Sequence, residues 1–220
     1  MNFAKEARKL ADFISELNDD FMIHSSEFEY NYNHIGALLT NIILQAGLNY
    51  NTVVKPRVEK VLLDYPNANT TIKFQELINE NGLENIINWK HETKLNRIYD
   101  CIDFLIENNI DTCYDLKNHL LKYQNQQEML NLEGVGPKTV DYLLKLLNFD
   151  VVAVDRHIYS FVEMAEIEIK GYSYTKKTVE FAADFLNISR KSLDYSIWSY
   201  MSNKDFLKNS KQDQLEFEFA

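Results

Sequence analysis

The chain has 220 residues, of which 45% are hydrophobic, 13% aromatic and 25% charged, and its formal net charge is −10. This length and apolar content allow a well-buried core, in one domain or two packed lobes, which excludes a chain that is mainly disordered. No apolar run approaches the roughly 18 residues of a membrane span, and the N-terminus lacks a signal-peptide pattern, so we expect a cytoplasmic protein that does not enter a membrane.

The negative charge is unevenly distributed along the chain. Residues 1–135 hold 12 Lys and Arg against 20 Asp and Glu, whereas residues 136–211 hold 11 against 10. The total charge argues against a nucleic-acid partner. The nearly neutral second segment nevertheless leaves room for a local DNA-binding face that is sensitive to salt.

Apolar residues recur at spacings of three and four along most of the chain, which predicts amphipathic helices. Only 6 Gly and 3 Pro are present, and we expect these breakers at helix ends or connections. The sequence therefore predicts an all-α fold of about ten helices joined by short loops. The apolar faces are Leu38, Leu39, Ile42 and Ile43; Leu95, Ile98, Ile102 and Leu105; Val140, Leu143, Leu144 and Leu147; and Ile158, Phe161, Val162 and Ala165.

The two cysteines, Cys101 and Cys113, lie in the middle of the chain. They can pair only if the fold brings them together, and they are too few to supply four thiolates to zinc or to an iron–sulfur cluster. We predict reduced thiols in the core. The histidines show no ligand spacing, so no metal is predicted.

The stretch LEGVGPKTVDYLL, residues 132–144, predicts two helices joined by a very short turn. Gly134 and Gly136 permit backbone angles closed to residues with a Cβ, and Pro137 suits the first position of the second helix. The exposed N–H groups and the positive end of the helix dipole can then hold a phosphate without reading base sequence. An ordinary corner between two helices is the alternative.

Lys138 falls in the first turn of this second helix, where the dipole opposes a cation. Partial burial and the dipole would both disfavour the ammonium form, as a nucleophilic amine requires. The alternative is a lysine that reaches a DNA phosphate or water.

Asp155 ends the β-branched run from Val151 to Val154, which predicts a short extended connection rather than a sheet strand. Asp155 is also a natural N-cap for the helix that follows. Capping alone could explain this residue. If the two helix N-termini converge, Lys138 and Asp155 also form a pair of nucleophile and base.

The sequence at this point resembles a known family. LEGVGPKT at 132–139 and VAVDRHI at 152–158 are similar to the helix-hairpin-helix and Gly/Pro-Asp signature of DNA glycosylases of the endonuclease III superfamily. The segments ALLTNIILQAGLNYNTVVKPRVEKVL and WKHETKLNRI resemble further parts of that family. The four-cysteine cluster loop is absent, which shifts the resemblance toward cluster-free members such as the 8-oxoguanine glycosylases.

The resemblance implies a helical barrel lobe at 35–147, a second lobe from 1–34 and 148–211, and double-stranded DNA in the cleft between them. Lys138 matches the catalytic lysine of bifunctional members, which excise a base and then cleave the strand as lyases, and Asp155 matches the shared aspartate. An oxidised base is the implied substrate, 8-oxoguanine first. The chain would act as a monomer, without a cluster and with a monovalent cation at most.

The resemblance also assigns DNA contacts and a base pocket. The DNA contacts are Gly134, Val135, Gly136, Thr139, Gln45 and His157, with His157 either supporting the site or meeting a phosphate. The base-pocket or wedge candidates are Trp89, Lys90, His91, Tyr195 and Trp198, with core packing as the alternative for the tryptophans and Tyr195.

The acidic tail, residues 212–220, has a Gln-x-x-Leu-x-Phe order similar to peptides that bind the bacterial sliding clamp, or is a frayed terminus. Two other functions stay open: a glycosylase or lyase for another lesion, such as an oxidised pyrimidine, and a non-catalytic DNA-binding module.

Overall fold

The computed structural model describes residues 3–24 and 32–218, with side chains as far as Lys204. Within these ranges the chain forms α-helices and no strand, so the all-α prediction is confirmed. The helices are α1 (Phe3–Glu16), α2 (Ile35–Leu44), α3 (Lys55–Asp64), α4 (Thr71–Asn81), α5 (Leu83–Ile86), α6 (Glu92–Glu107), α7 (Cys113–His119), α8 (Tyr123–Met129), α9 (Pro137–Leu146), α10 (Arg156–Met164), α11 (Tyr172–Leu186) and α12 (Arg190–Glu218). None of these helices is both long enough and apolar enough to cross a membrane.

The helix breakers lie where the sequence predicts them. Pro56 and Pro137 occupy the first turns of α3 and α9. Gly82 joins α4 to α5, and Gly171 precedes α11. The four predicted apolar faces are buried throughout. Helix breakers and apolar periodicity are both local in sequence. The positions of the helices can therefore be predicted without any information about long-range contacts.

The chain divides into two compact units. We call residues 30–149 the hairpin unit, and residues 1–29 with 150–220 the terminal unit.

The hairpin unit is built around α2, whose ten residues are all buried. Helices α3, α4, α6 and α9 pack against it. Gly36 of α2 meets the ring of Phe74 so closely that a Cβ at this position would collide with it. Cys101 and Cys113 are buried in this unit and unpaired, as predicted. Burial raises the pKa of each thiol to about 12.

The terminal unit packs α1 against α11, and α10 and α11 against α12. Its apolar core includes Leu10, Phe161, Val179 and Ile197. The run before Asp155 is an extended connection and not a strand, as predicted. It is fixed to α12 because the Ala153 N–H donates a hydrogen bond to Oδ2 of buried Asp194 at 2.8 Å.

Candidate functional site

The connection between α8 and α9 spans residues 130–136, so two helices meet at the predicted place, but the turn is longer than the very short one predicted. Gly134 has φ +73°, a conformation that favours glycine, and the N–H of Val135 donates to the carbonyl of Leu132 at 3.1 Å. Gly136 has φ −96° and ψ 176°, which is extended backbone open to any residue. The predicted need for glycine is therefore confirmed at Gly134 and wrong at Gly136.

The backbone amides at the start of α9 have few internal partners. No side chain caps this helix. The Val135 amide is used within the turn, and the Thr139 amide donates to the Gly136 carbonyl at 2.9 Å. The N–H groups of Gly134, Gly136 and Lys138 make no hydrogen bond to other residues that the structure describes. They are the donors that an anion can use.

Lys138 lies in the first turn of α9, as predicted, but it is exposed. The expectation of partial burial is wrong, since the buried face of the helix begins only at Val140. The exposed side chain forms no ion pair with the described residues. Its amine is therefore accessible to a large substrate.

Packing against α2 holds α9 in place. Val140, Leu143 and Leu144 are buried on the inner face. On the polar side, the Tyr142 hydroxyl donates to Oδ1 of buried Asn41 at 3.4 Å. The start of α9 is thus presented by a helix that is anchored in the core of the hairpin unit.

The side chain of Arg97, on α6, covers the hairpin turn. Its Nε and Cζ atoms occupy the space that a Cβ at Gly134 would need. The Nε atom is buried and has no hydrogen-bond partner in the described part of the chain. Gly134 is therefore required twice, for its backbone angle and for this close approach.

Lys94 binds the end of α2, where Gln45 lies. Gln45 is the half-buried C-cap of the helix. The Nζ atom of Lys94 donates to the carbonyl oxygens of Ile43 at 2.6 Å and Ala46 at 3.0 Å. Burial, and secondarily the charge of Arg97, lowers the pKa of Lys94. The segment that displays Gln45 is thereby tied to α6.

Trp89 and His91 lie just before α6. Trp89 is half-buried, with the guanidinium of Arg57 5.0 Å from its ring centroid and its Nε1 buried without a partner among the described residues. Arg57 also donates to the Asn88 carbonyl at 3.1 Å. Because these contacts fix the Trp89 side chain, exposed His91 and Lys90 are better candidates for a side chain that inserts into the DNA.

Asp155 caps α10 in the terminal unit, as the sequence predicts. Its Oδ1 accepts from the N–H groups of His157 at 2.9 Å and Ile158 at 3.1 Å. Its Oδ2 makes no hydrogen bond to the described residues and the side chain is partly exposed. Oδ1 of the carboxylate therefore stabilises the start of α10, while Oδ2 can still accept a proton or a hydrogen bond.

The remaining predicted site residues also belong to the terminal unit. His157 is only 7% exposed and accepts from Nε of Arg156 at 3.4 Å, which favours a supporting role over contact with a phosphate. Trp198 is 43% exposed, so its core alternative is wrong. It stacks on half-buried Tyr195 at 5.8 Å between centroids, and Tyr195 contacts the ring of His24.

A cavity of about 510 Å³ lies beside this aromatic group in the terminal unit, lined in part by His24, Ser196 and Tyr200. No cluster of three His, Cys, Asp or Glu that could bind a metal occurs in the described ranges. The rings of Tyr195 and Trp198 therefore form an aromatic surface next to a cavity.

Sequence reasoning missed one functional candidate, Arg97, and two basic residues that hold neighbouring segments in place, Lys94 and Arg57. Lys94 and Arg97 fall within the segment WKHETKLNRI, which the sequence singles out only as a whole. Their spacing of three places both on one face of α6, a signal that was available. Their contacts with residues 37 to 51 positions away were not visible in the local pattern.

The comparisons with known proteins give a likeness of fold. No protein-family model matches the sequence, and no curated protein matches it. Among solved structures, the chain is similar to the crystal structure of the H. pylori 3-methyladenine DNA glycosylase MagIII bound to 1,N6-ethenoadenine. The TM-score is 0.60 with 17% identity, over 94% of this chain and 99% of that chain. The two chains share a helical fold along nearly their whole length.

Proposed function

We propose that this chain is a base-excision-repair DNA glycosylase with lyase activity at abasic sites, acting on double-stranded DNA through Lys138. The observation that carries the proposal is the start of α9, where open backbone amides lie beside an exposed lysine that neither a cap nor an ion pair explains. The amides suit a DNA phosphate, and the amine suits the sugar. The fold likeness to a DNA glycosylase supports the same conclusion.

In the proposed reaction, a damaged nucleotide leaves the base stack, which costs a few kcal/mol and is cheapest for a badly paired base. The neutral amine of Lys138 attacks C1′ and the bond from C1′ to the base breaks. The base departs with its bonding electrons and is protonated. The C1′–O4′ bond then breaks, O4′ takes a proton, and the lysine nitrogen forms the C=N double bond of a Schiff base. Loss of a proton from C2′ of this Schiff base expels the 3′-phosphate and nicks the strand, and water hydrolyses the C=N bond to release the lysine.

Asp155 supplies a carboxylate to this reaction in the proposal. While Oδ1 caps α10, Oδ2 can accept the proton that Lys138 loses and stabilise positive charge on the sugar. Gln45 and Thr139 contact DNA beside the hairpin, and His157 supports Asp155. Exposed His91 or Lys90 fills the space that the extruded nucleotide leaves.

An oxidised purine, 8-oxoguanine first, is the proposed substrate, and Trp198 with Tyr195 offers an exposed aromatic surface for an extruded base. A second candidate is an alkylated purine, favoured by the likeness to MagIII, a 3-methyladenine DNA glycosylase.

Any cation at the hairpin would be held by carbonyl oxygens of the turn, which suits a monovalent ion. Residues 212–220, whose side chains lie outside the described ones, remain a proposed clamp-binding peptide of a cytoplasmic enzyme.

Borohydride trapping on a duplex with an abasic site tests the reaction. The unmodified chain should form a covalent adduct and nick the strand. Lys138→Arg keeps the positive charge but cannot form a Schiff base under these conditions, so the adduct should vanish while DNA binding persists. Lys138→Gln should lose the adduct as well. Lys122→Gln, which removes another exposed lysine of the hairpin unit, is the matched control.

An adduct that survives in Lys138→Arg would place the nucleophile elsewhere. Binding without any adduct in the unmodified chain would leave a non-catalytic DNA-binding module.

Substrate choice is tested separately, by scoring base release and strand nicking on duplexes with 8-oxoguanine, thymine glycol, uracil or 3-methyladenine. Preferential release of 3-methyladenine would select the second candidate.

A further inference from the structure

Two basic side chains one turn apart on α6, Lys94 and Arg97, have different surroundings. The ammonium group of Lys94 donates to the carbonyl oxygens of Ile43 and Ala46, so its charge is used to close the end of α2. Lysine at a helix C-terminus is a common solution for carbonyl groups that lack an intrahelical partner. Lys94 thus has an internal partner that accounts for it.

Arg97 has no such partner. The guanidinium packs against Gly134 at the hairpin turn, and its Nε is buried without a hydrogen bond to the described residues. No carboxylate in those residues forms an ion pair with it. Lys94 lies one turn away on the same helix and adds positive charge nearby; burial first, and then the charge of Arg97, lowers the pKa of Lys94. A half-buried guanidinium with an unpaired donor and a second cation beside it is unfavourable unless an anion binds there.

The position of Arg97 indicates which anion this is. Its Nε and Cζ atoms lie against Gly134, whose own N–H is open, and the open amides of Gly136 and Lys138 follow within four residues. A guanidinium offers five N–H donors in a plane and binds phosphate through two of them at once. The backbone amides and Arg97 therefore combine neutral and charged donors at one turn.

We propose that Arg97 binds a DNA backbone phosphate beside the hairpin and is a DNA-binding residue in its own right. This inference rests on the proposed function, because it requires that the hairpin meets DNA. The ligand is a phosphodiester. Arg97 uses its charge to bind this ligand, whereas Lys94 uses its charge to stabilise the end of α2. The contact carries no base specificity, as expected for a phosphate contact.

Salt dependence of binding measures the number of phosphate contacts directly. A labelled duplex with a tetrahydrofuran abasic-site analogue is titrated with each variant by fluorescence anisotropy, at several salt concentrations between about 50 and 200 mM. Arg97→Gln should weaken binding about tenfold at low salt and reduce the slope of log K against log salt by about one. Arg97→Lys, which loses the same packing but keeps a charge, should retain most of the slope.

Lys94→Met is the matched control, since it removes a charge one turn away that has an internal partner. It should lower the thermal midpoint of unfolding but leave the salt slope of binding within error of the unmodified chain. Thermal midpoints are measured for all variants, and the comparison of Arg97→Gln with Arg97→Lys separates loss of charge from loss of packing.

An unchanged slope in Arg97→Gln would overturn the proposal, as would an equal decrease in Lys94→Met, because the effect would then be one of general charge. Absence of binding by the unmodified chain is a different result, and would remove the proposed function itself. Intact binding with an unchanged slope in Arg97→Gln would remove only the assignment of Arg97.

Discussion

Helices α9 and α10 begin in opposite ways, although the resemblance assigns a catalytic residue to each. The start of α10 is complete, because Asp155 accepts two backbone hydrogen bonds and places a negative charge at the positive end of the dipole. The start of α9 has no side-chain cap, and Lys138 places a cation in its first turn. Stability alone explains the first arrangement and fails to explain the second.

The difference shows where function can be separated from folding. In the proposed function a residue such as Asp155 serves both, so its loss should change stability and activity together, and only a substitution that keeps the cap can separate the two effects. A residue such as Lys138 is opposed by its local environment, so removing it should not harm the fold. Substitutions at the two helix starts should therefore have different effects on stability and on activity.

Asp155 tests the first half of the contrast. Asparagine caps helices as well as aspartate does but carries no charge, so Asp155→Asn should lose only the dipole contribution of the charge, about 0.3–1 kcal/mol of unfolding free energy at low salt. The same variant should lower the rate of single-turnover base release by about 10²- to 10⁴-fold, because it lacks the proposed base. Asp155→Ala should lose similar activity and, in addition, about 1 kcal/mol of stability. Full activity in Asp155→Asn would limit this residue to capping.

The two glycines of the hairpin form a natural pair for the next test. Alanine at Gly134 must adopt φ near +73° and collide with Arg97, so Gly134→Ala should cost about 2–4 kcal/mol by chemical denaturation. Gly136 has extended angles and nothing within 4 Å of an added Cβ. Gly136→Ala should therefore stay within about 0.5 kcal/mol of the unmodified chain. Equal costs for the two variants would show that the turn differs from the one described.

The same two glycines show how far the sequence could be read. The GxGP pattern predicts a turn and a helix start, and Pro137 is found where local rules place it. The pattern cannot say which glycine needs its freedom, because that depends on Arg97, which comes 37 residues earlier in the chain. The exposure of Lys138 was missed for a related reason, since burial depends on where the packed face of α9 begins.

Capping and periodicity were the reliable signals. Asp155 follows an apolar run and precedes an amphipathic segment, and both features are local, so its N-cap role could be predicted. Lys94 closes α2 through carbonyl groups about 50 residues away, and no short-range pattern encodes such a contact. Long side chains that reach backbone groups of another helix are therefore the part of this site that only a structure could supply.

The smallest predicted effect has the opposite sign from the others. Lys138→Glu replaces a cation with an anion at the N-terminus of α9, where the dipole favours negative charge. It should raise the unfolding free energy by about 0.3–1 kcal/mol at low salt, and the gain should shrink as salt screens the charge. Lys122→Glu, in the N-cap position of α8 and also exposed, should show a gain of the same sign, because it too places an anion at a helix N-terminus. The same Lys138→Glu variant should bind no abasic duplex, because the carboxylate repels the phosphate that the open amides would hold. A loss of stability would mean that Lys138 has a structural partner and that its place at this helix start reflects folding; a gain of stability together with loss of DNA binding is the result expected of a residue whose position serves the substrate.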